Sequence, residues 1–368
     1  MAVTQAQTLG QVRATFLANA NIRSQKTPRQ TYDSSQTQYQ FTLPKAGYGI
    51  YAVIDFQGTL TIAGTGGSVS VSPKAPFNLF SWVDFEDFLG THRVQASGWK
   101  LYEREIMTAL AYDPQNGQST PLSNSETSTL QEISIGGSGG AAGSYPLNTS
   151  VILPIALHSN TTQGSFPFAI PKGQNQVTVS MASLVGSTID NLLVQATAGF
   201  TVTLSGTIGI EYYYWDVPTG TVLPAQDFAL VHELREIKQN ENIMAGMDLL
   251  FSLPTGRTYF AIMQDMVLNG ALNDTDITNI KFLVDGDTPM LDEPWYNYQR
   301  RIKKQYNRSM PIGEFVFDFW RKPWTPDNYG SLQTVLSISS GATVGTYYYT
   351  SLLLESMYTS SQVVAQAG

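Results

Sequence analysis

The side chains best able to carry out chemistry are carboxylates, so we first ask whether their spacing fits a catalytic or metal site. Three short acidic clusters occur, at 84–87, 274–276 and 285–287. Glycosidases need two carboxylates flanking a cleft, and calcium sites need several oxygen ligands in an ordered loop. The clusters lack the spacing of a calcium-binding loop, and aspartate is common in turns. We therefore interpret them as surface and turn residues: Asp84, Glu86, Asp87, Asp274, Asp276, Asp285 and Asp287.

The three histidines, His92, His158 and His232, are far apart in the sequence and form no HExxH motif. Nothing local supports a zinc site or a Ser-His-Asp triad, although folding could still bring distant residues together. The absence of cysteine excludes disulfides, thiolate metal sites and cysteine nucleophiles. The glycine-rich stretch 64–67 lies between two strand-like runs, which indicates a turn and not a phosphate-binding loop. We therefore expect no catalytic residue, no metal, no cofactor and no enzymatic activity.

A basic leader is the first candidate binding segment. Residues 1–45 contain five Lys or Arg and one Asp, which gives a net charge of +4. The other 323 residues carry a net charge of −12, so that the whole chain carries −8. A basic tail on an acidic body is typical of contact with an anionic surface. We therefore hypothesise that the leader lies close to a membrane; the alternative is a solvated terminus. Its cations are Arg13, Arg23, Lys26 and Arg29.

A second basic cluster lies on one side of a predicted helix near residue 300. A subunit contact with acidic groups such as Asp84, Glu86 and Asp87 is one hypothesis, and a solvated helix face is another. Binding of nucleic acid is a third, but the acidic pI of about 4.9 argues against direct contact with a genome. The cluster comprises Arg300, Arg301, Lys303, Lys304 and Arg308.

The composition indicates a folded chain whose surface contacts other protein. Only 14% of the residues are charged, against about 25% in ordinary soluble domains, whereas 42% are hydrophobic. The surface must therefore consist mainly of neutral polar side chains. No apolar run approaches the ~18 residues of a membrane-spanning helix, and the first residues do not resemble a signal peptide.

Alternation of apolar and polar residues predicts an all-β protein. Residues 1–35 read as an arm with a short amphipathic helix around Phe16, and a period of two begins near Gln36. Helices are predicted at Gly98–Tyr112, at Asp292–Arg308 and near 227–239. Strands are predicted at 48–63, 176–185, 199–215, 259–268, 314–320, 332–339 and 346–358.

The order of several motifs suggests that the chain contains two copies of one β-domain. Trp99–Tyr102 is matched by Trp295–Tyr298, 196 residues later. The stretch 164–172 resembles 313–322, and the triplet Tyr212–Tyr214 resembles Tyr347–Tyr349. The longer first copy is explained by a Gly- and Ser-rich loop insertion. The predicted domains are an arm at 1–35, a first sandwich at 36–218 with the insertion at 113–150, a linker at 219–240, a second sandwich at 241–360 and a tail at 361–368.

This layout resembles the double jelly-roll major capsid proteins of tailless icosahedral viruses with an internal membrane, the tectivirus-like members of the adenovirus hexon lineage. The motif-level similarity lies near the C-terminus, in the aromatic strand Phe315–Phe319, Lys322–Pro323, the turn Tyr329–Leu332 and the last apolar strand Leu352–Glu355.

The resemblance implies two tandem eight-stranded jelly rolls with a few short helices. It implies a major capsid protein of the virion shell, which forms homotrimers with a pseudo-hexagonal outline. It further implies contacts with neighbouring capsomers, minor capsid and vertex proteins and, through the arm, viral membrane lipids. Direct contact with nucleic acid is not expected, because the net charge is −8. The alternative is a β-sandwich spike or adhesin that binds receptors or glycans, and a carbohydrate-active enzyme is a weaker third class.

Overall fold

A computed structural model describes most of the chain. The described residues are 15–16, 18–64, 68–112, 134–135, 142–157, 173–197, 199–216, 231–268, 271–306, 312–319, 323–325, 329–342 and 346–358. They form 22 strands, two longer α-helices and one short 3-10 helix at Phe77–Leu79. Residues 15–16 and 18–19 are also helical, in agreement with the helix predicted around Phe16.

The C-terminal half forms a sandwich of two four-stranded antiparallel sheets, which we call the second module. One sheet has the order β14–β22–β16–β20, and the other has the order β15–β21–β18–β19. Numbered within the module, these orders are first–eighth–third–sixth and second–seventh–fourth–fifth, which is the jelly-roll arrangement. The strands are β14 (Val231–Ile243), β15 (Asp248–Leu253), β16 (Thr258–Leu268), β18 (Ile277–Val284), β19 (Thr288–Pro294), β20 (Glu314–Asp318), β21 (Leu332–Ile338) and β22 (Thr346–Tyr358), with a short β17 (Ala271–Leu272) beside β16.

The N-terminal half, the first module, has the same strand order. Its sheets are β1/β2–β13–β4–β9 and β3–β10–β6–β7, which again are first–eighth–third–sixth and second–seventh–fourth–fifth. The strands are β1 (Asn21–Lys26), β2 (Gln30–Thr31), β3 (Gln38–Thr42), β4 (Tyr48–Ala63), β6 (Phe80–Glu86), β7 (His92–Ala96), β9 (Gly143–Pro154), β10 (Gln176–Met181) and β13 (Thr201–Asp216). The prediction of two tandem jelly rolls is confirmed.

Each module has one helix between its fifth and sixth strands, α1 (Gly98–Tyr112) and α2 (Trp295–Tyr306). The Trp-x-x-Tyr match therefore joins equivalent positions, and so do the tyrosine triplets, which lie in the eighth strands β13 and β22. The match between 164–172 and 313–322 is wrong. Residues 164–172, which are outside the described part, follow the sixth strand β9, whereas Glu314–Asp318 is itself the sixth strand of the second module.

Two predicted boundaries do not coincide with the strands. Residues 21–31, which we expected in the arm, form β1 and β2 and pair with β13. Residues 231–240, which we expected in the linker, belong to β14. Within the predicted insertion, residues 143–150 are part of β9 and 134–135 form the short β8; the rest of the insertion lies outside the described residues. The sequence did not indicate these strands because the segments that form them are mainly polar.

The helix predicted near 227–239 is wrong where the structure describes it, because residues 231–243 form β14. The sequence HELREIKQ is rich in good helix formers. It is nevertheless held extended between two strands, antiparallel to β22 and parallel to β7. Tertiary pairing overrides local propensity here.

The β7–β14 pairing joins the two modules into one continuous sheet, with Leu234 opposite Val94 and Arg235 opposite Gln95. Because β7 and β14 are parallel, the two modules have the same orientation. The strand pairings place the start of β1 and the last residues of β22 at one end of the molecule. Helices α1 and α2 follow strands that finish at the opposite end. A small extra sheet at this second end, beside the start of β13, consists of β5 (Ser68–Val71), β8 (Ser134–Ile135), β11 (Val185–Gly186) and β12 (Leu193–Thr197).

Candidate functional site

Charged residues are buried where the first module packs on the second, a region that we call the module junction. Alternate residues of a strand face opposite sides of its sheet. In β16 and β22, Ile262 and Leu354 face the core of the second module, whereas Asp265 and Glu355 face away from it. The outer face of this sheet is covered by α1 and by the segment around Lys74, which leaves Asp265 and Glu355 fully buried.

Lys100 of α1 is the centre of an ionic network across this junction. Its Nζ lies 3.0 Å from Oδ1 of Asp265, 2.6 Å from Oε2 of Glu103 and 3.4 Å from Oε2 of Glu314. Lys74 adds a second ammonium group 2.9 Å from Oδ2 of Asp265. All five side chains are buried, and they come from both modules. The network therefore connects the two sandwiches by charge as well as by packing.

Two ammonium groups face three buried carboxyl groups, so the charges of these five groups balance when one carboxyl group is protonated. Burial raises the pKa of Glu314 well above its ordinary value, and the neighbouring Glu103 raises it further. Burial also raises the pKa of Glu103, although the neighbouring Lys100 acts in the opposite direction. Burial opposes ionisation of Asp265 too, but Lys100 and Lys74 outweigh it and lower the pKa of Asp265. The two lysines therefore favour the ionised form of Asp265, whereas burial favours the protonated form of Glu103 and Glu314.

A second buried cluster lies one helical turn along α1. Arg104 donates from Nη2 and Nε to Oε1 of Glu355, at 2.6 and 3.0 Å, and from Nη2 to the carbonyl oxygen of Leu157 at 3.2 Å. Nε2 of His232 lies 2.5 Å from the same carboxylate oxygen. Burial acts to raise the pKa of Glu355, but Arg104 and His232 more than offset it and bring the pKa to about 2. The pKa of His232 is lowered, mainly by burial.

The structure places the predicted cluster of α2 on the exposed side of that helix. Arg300, Lys303 and Lys304 are exposed, and the Arg300 guanidinium lies 5.6 Å from the centre of the Tyr296 ring. Arg301 instead binds Glu293 of its own chain, with Nη2 2.6 Å from Oε1. Tyr298 fixes the buried side of α2, because its hydroxyl donates to the carbonyl oxygen of Val316. Arg308 lies outside the described residues.

Two of the suggested acidic partners of this cluster are already bound in their own chain. Asp87, which we expected at the surface, is buried, and Nε of Arg93 lies 2.6 Å from its Oδ2. Nδ1 of His92 lies 2.8 Å from Oδ1 of Asp84, and the hydrogen bond to Asp84 raises the pKa of His92. Asp87 is therefore not available for a contact between subunits, because such a contact would have to break a buried pair.

Three cations of the predicted leader pair with the body of the first module: Arg23 and Lys26 lie on β1, and Arg29 directly precedes β2. Nε of Arg23 lies 2.7 Å from Oδ2 of Asp216, and Nζ of Lys26 lies 3.7 Å from Oε2 of Glu211. Arg29 contacts Asp55 at 2.7 Å. Arg23 and Lys26 remain largely exposed despite these contacts, and Arg13 lies outside the described residues.

Two of the remaining acidic candidates, Asp285 and Asp274, contact polar groups of their own chain. Asp285 has a positive φ of 53° and its Oδ1 accepts from the Gly330 N–H, which confirms the turn expected there. Asp274 accepts from Gln299 at 3.1 Å. Within the described ranges, no three His, Asp or Glu side chains are grouped so that they could hold a metal ion. His158 lies outside those ranges, and none of the described helices is long and apolar enough to cross a membrane.

Sequence reasoning missed the module junction itself. Lys74, Lys100 and Arg104 were not singled out, because a lone charged residue in an apolar pattern carries no local sign that its partner is 150 to 250 residues away. The only available signal was the placement of Lys100 and Arg104 beside the apolar face of α1.

Comparison with solved structures covers nearly the whole chain. The MCP of STIV, Sulfolobus turreted icosahedral virus, is 16% identical, with a TM-score of 0.64 over 91% of this chain and 96% of that chain. VP54 of PBCV-1 is 9% identical, with a TM-score of 0.57 over 97% and 96% of the two chains. The Faustovirus major capsid protein is 10% identical, with a TM-score of 0.55 over 97% and 92%. The chain has the double jelly-roll fold of these capsid proteins.

The similarity is one of fold and not of sequence. No protein-family model matches the chain, and no curated protein matches it in sequence. The double jelly roll extends through both modules, since the matched share of each chain is too large to come from one sandwich alone. The resemblance stated from the sequence is confirmed at this level.

Proposed function

We propose that this chain is the major capsid protein of an icosahedral virus, and that three copies form a pseudo-hexagonal capsomer of a shell around an internal membrane. The proposal is carried by one observation. Two jelly rolls of the same strand order lie side by side in one chain, and capsid proteins match that chain over nearly its whole length.

The composition and the described residues support a structural role. Low charge suits a protein whose flanks are covered by neighbouring subunits, and the buried charged residues of the junction bind one another. The alternative of a spike or adhesin is not favoured, because the matched structures are capsid proteins. We propose that its partners are neighbouring capsomers and minor capsid and vertex proteins, and that the chain has no enzymatic activity.

We expect the purified full chain to form a trimer. Three times the chain mass of 40.3 kDa gives about 121 kDa, which native mass spectrometry or light scattering distinguishes from a monomer. Electron microscopy of the same sample checks for a pseudo-hexagonal outline. A chain that stays monomeric at tens of micromolar, or that forms an elongated particle with one sandwich head, would contradict the proposal.

We further propose that the end of the molecule at which β1 begins faces the membrane. Arg23 and Lys26 are exposed there, and a cation near an anionic bilayer contributes about 1 kcal/mol. Co-flotation with vesicles of 30% phosphatidylserine in phosphatidylcholine is expected at low salt, with release at high salt. Arg23→Glu with Lys26→Glu should reduce it. Lys303→Glu with Lys304→Glu, the same charge change at the other end, should not. Absence of flotation at every salt concentration would remove the hypothesis.

A further inference from the structure

The side of α2 that is exposed corresponds to the side of α1 that is buried in the module junction. Superposing the helices on their shared Trp-x-x-Tyr places Lys100, Glu103 and Arg104 at the positions of Tyr296, Gln299 and Arg300, again 196 residues apart. The three residues of α1 are 0%, 4% and 6% exposed. Their counterparts on α2 are exposed, Tyr296 to 66%. The same helix face is therefore covered by a second module in one case and uncovered in the other.

The surface that covers α1 has an equivalent in the first module. In the second module, outward carboxylates lie on the third and eighth strands, at Asp265 of β16 and Glu355 of β22. In the sheet β1/β2–β13–β4–β9, the third strand β4 carries Asp55 and the eighth strand β13 carries Glu211. Both side chains face outward, because their strand neighbours lie in the core: Ile54, Phe56, Ile210 and Tyr212.

The order of these carboxylates along the sheet is also the same. Glu355 is opposite Ala261, which lies four residues before Asp265 on β16. Glu211 is opposite Val53, which lies two residues before Asp55 on β4. In both sheets the carboxylate of the eighth strand is thus displaced in the same direction from that of the third.

The chemistry of this outer face complements α2. Glu211 and Asp55 are partly exposed, with side-chain exposures of 26% and 22%. Arg29 pairs closely with Asp55 at 2.7 Å, whereas Lys26 lies 3.7 Å from Glu211 and is itself largely exposed, so Glu211 is the carboxylate that a second cation can reach. Beside them, Tyr51 and Tyr213 stack at 4.6 Å between ring centres. On α2, Arg300 lies over the Tyr296 ring, and arginine and tyrosine are among the residue types enriched at the energetic centres of interfaces.

We propose that α2 of one chain docks on the outer face of the β1/β2–β13–β4–β9 sheet of a second copy, with Arg300 binding Glu211 as Arg104 binds Glu355 within the chain. The contact between chains thereby repeats the contact between modules. Such a contact is head-to-tail, and three copies close a ring when it repeats the internal junction with a rotation that brings the third chain back to the first. The inference rests on the proposed self-assembly and names the surfaces that perform it.

Charge reversal tests the pairing. Arg300→Glu and Glu211→Arg are each expected to raise the protein concentration at which half of the trimer dissociates by at least tenfold, because each places like charges together in a desolvated contact. The double variant is expected to regain most of the wild-type value. Lys281→Glu serves as the matched control, since this lysine lies on the other sheet of the second module and pairs with Asp248.

Covalent capture provides a second readout that does not depend on affinity. Because the chain contains no cysteine, Arg300→Cys with Glu211→Cys places its only two thiols at the proposed contact. Mild oxidation is expected to give dimers and trimers on a non-reducing gel, whereas each single variant stays at the monomer mass or forms symmetric dimers only. Circular dichroism and melting temperature confirm that the variants are folded.

The outcomes separate this inference from the proposed function. A trimeric wild type whose reversal variants dissociate as the wild type does, or whose double-cysteine variant gives no trimer band, overturns the docking and leaves the capsid role intact. Loss of assembly in both single variants without recovery in the double overturns the pairing of Arg300 with Glu211. A monomeric wild type contradicts both proposals.

Discussion

Replacing Lys100 by methionine is expected to lower the free energy of unfolding by about 3–5 kcal/mol, since removal of one partner leaves buried charges without compensation. Lys100 is fully buried and lies within 3.4 Å of carboxylate oxygens from Asp265, Glu103 and Glu314. Methionine keeps the apolar stem but removes the ammonium group. Urea unfolding at pH 7, followed by tryptophan fluorescence at one fixed protein concentration, measures the change.

The matched control is Lys281→Met. Lys281 makes an exposed ion pair with Asp248, with Nζ 3.3 Å from Oδ2, and exposed pairs contribute about 1 kcal/mol or less. Equal losses in the two variants would mean that the junction network contributes no more than a surface pair. Because the network joins the modules, we also expect the Lys100 variant to unfold in two steps if the wild type unfolds in one.

The second large effect is a loss of stability in acid that depends on Glu355. Its pKa is about 2 in the folded chain against an ordinary 4.5, a difference worth about 3 kcal/mol at neutral pH. Because the folded-state pKa is depressed, this stabilisation is present above pH 4.5 and is lost as the pH falls towards 2. Glu355→Gln should therefore be less stable than wild type at pH 7 by about 3 kcal/mol, with the difference shrinking towards pH 3.

Urea unfolding at pH 7, 5, 4 and 3 tests this dependence. Glu293→Gln is the control, since it weakens the more exposed pair of Glu293 with Arg301 and should change stability by about 1 kcal/mol or less. A difference between Glu355→Gln and wild type that is the same at every pH would show that ionisation of Glu355 is not its source.

The sequence predicted those parts of the fold that repeat a local pattern. The strands Tyr48–Ala63 and Thr346–Tyr358 and the helix Gly98–Tyr112 have the predicted bounds, because each has a sustained period of two or of 3.6. Internal similarity placed the helices and the closing strands of the two copies correctly. It failed for 164–172, where a short aromatic motif recurs without an equivalent topological position.

What the sequence did not reveal depends on contacts between distant segments. The pairing of β14 with β7 converts a helix-forming sequence into a strand. Similarly, Asp87 was taken for a surface residue because its partner Arg93 gives no periodic signal. The candidate basic face of α2 was recognised from charge alone, but its relation to α1 emerged only when the burial of the two helices was compared.

The continuous sheet has a mechanical consequence. A hinge between the two modules would have to break the backbone pairing of β7 with β14 and pull the ion network of Lys100 apart. The angle between the sandwiches is therefore fixed by folding, and each chain behaves as a rigid unit. When such units form a closed shell, its curvature has to arise at the contacts between molecules.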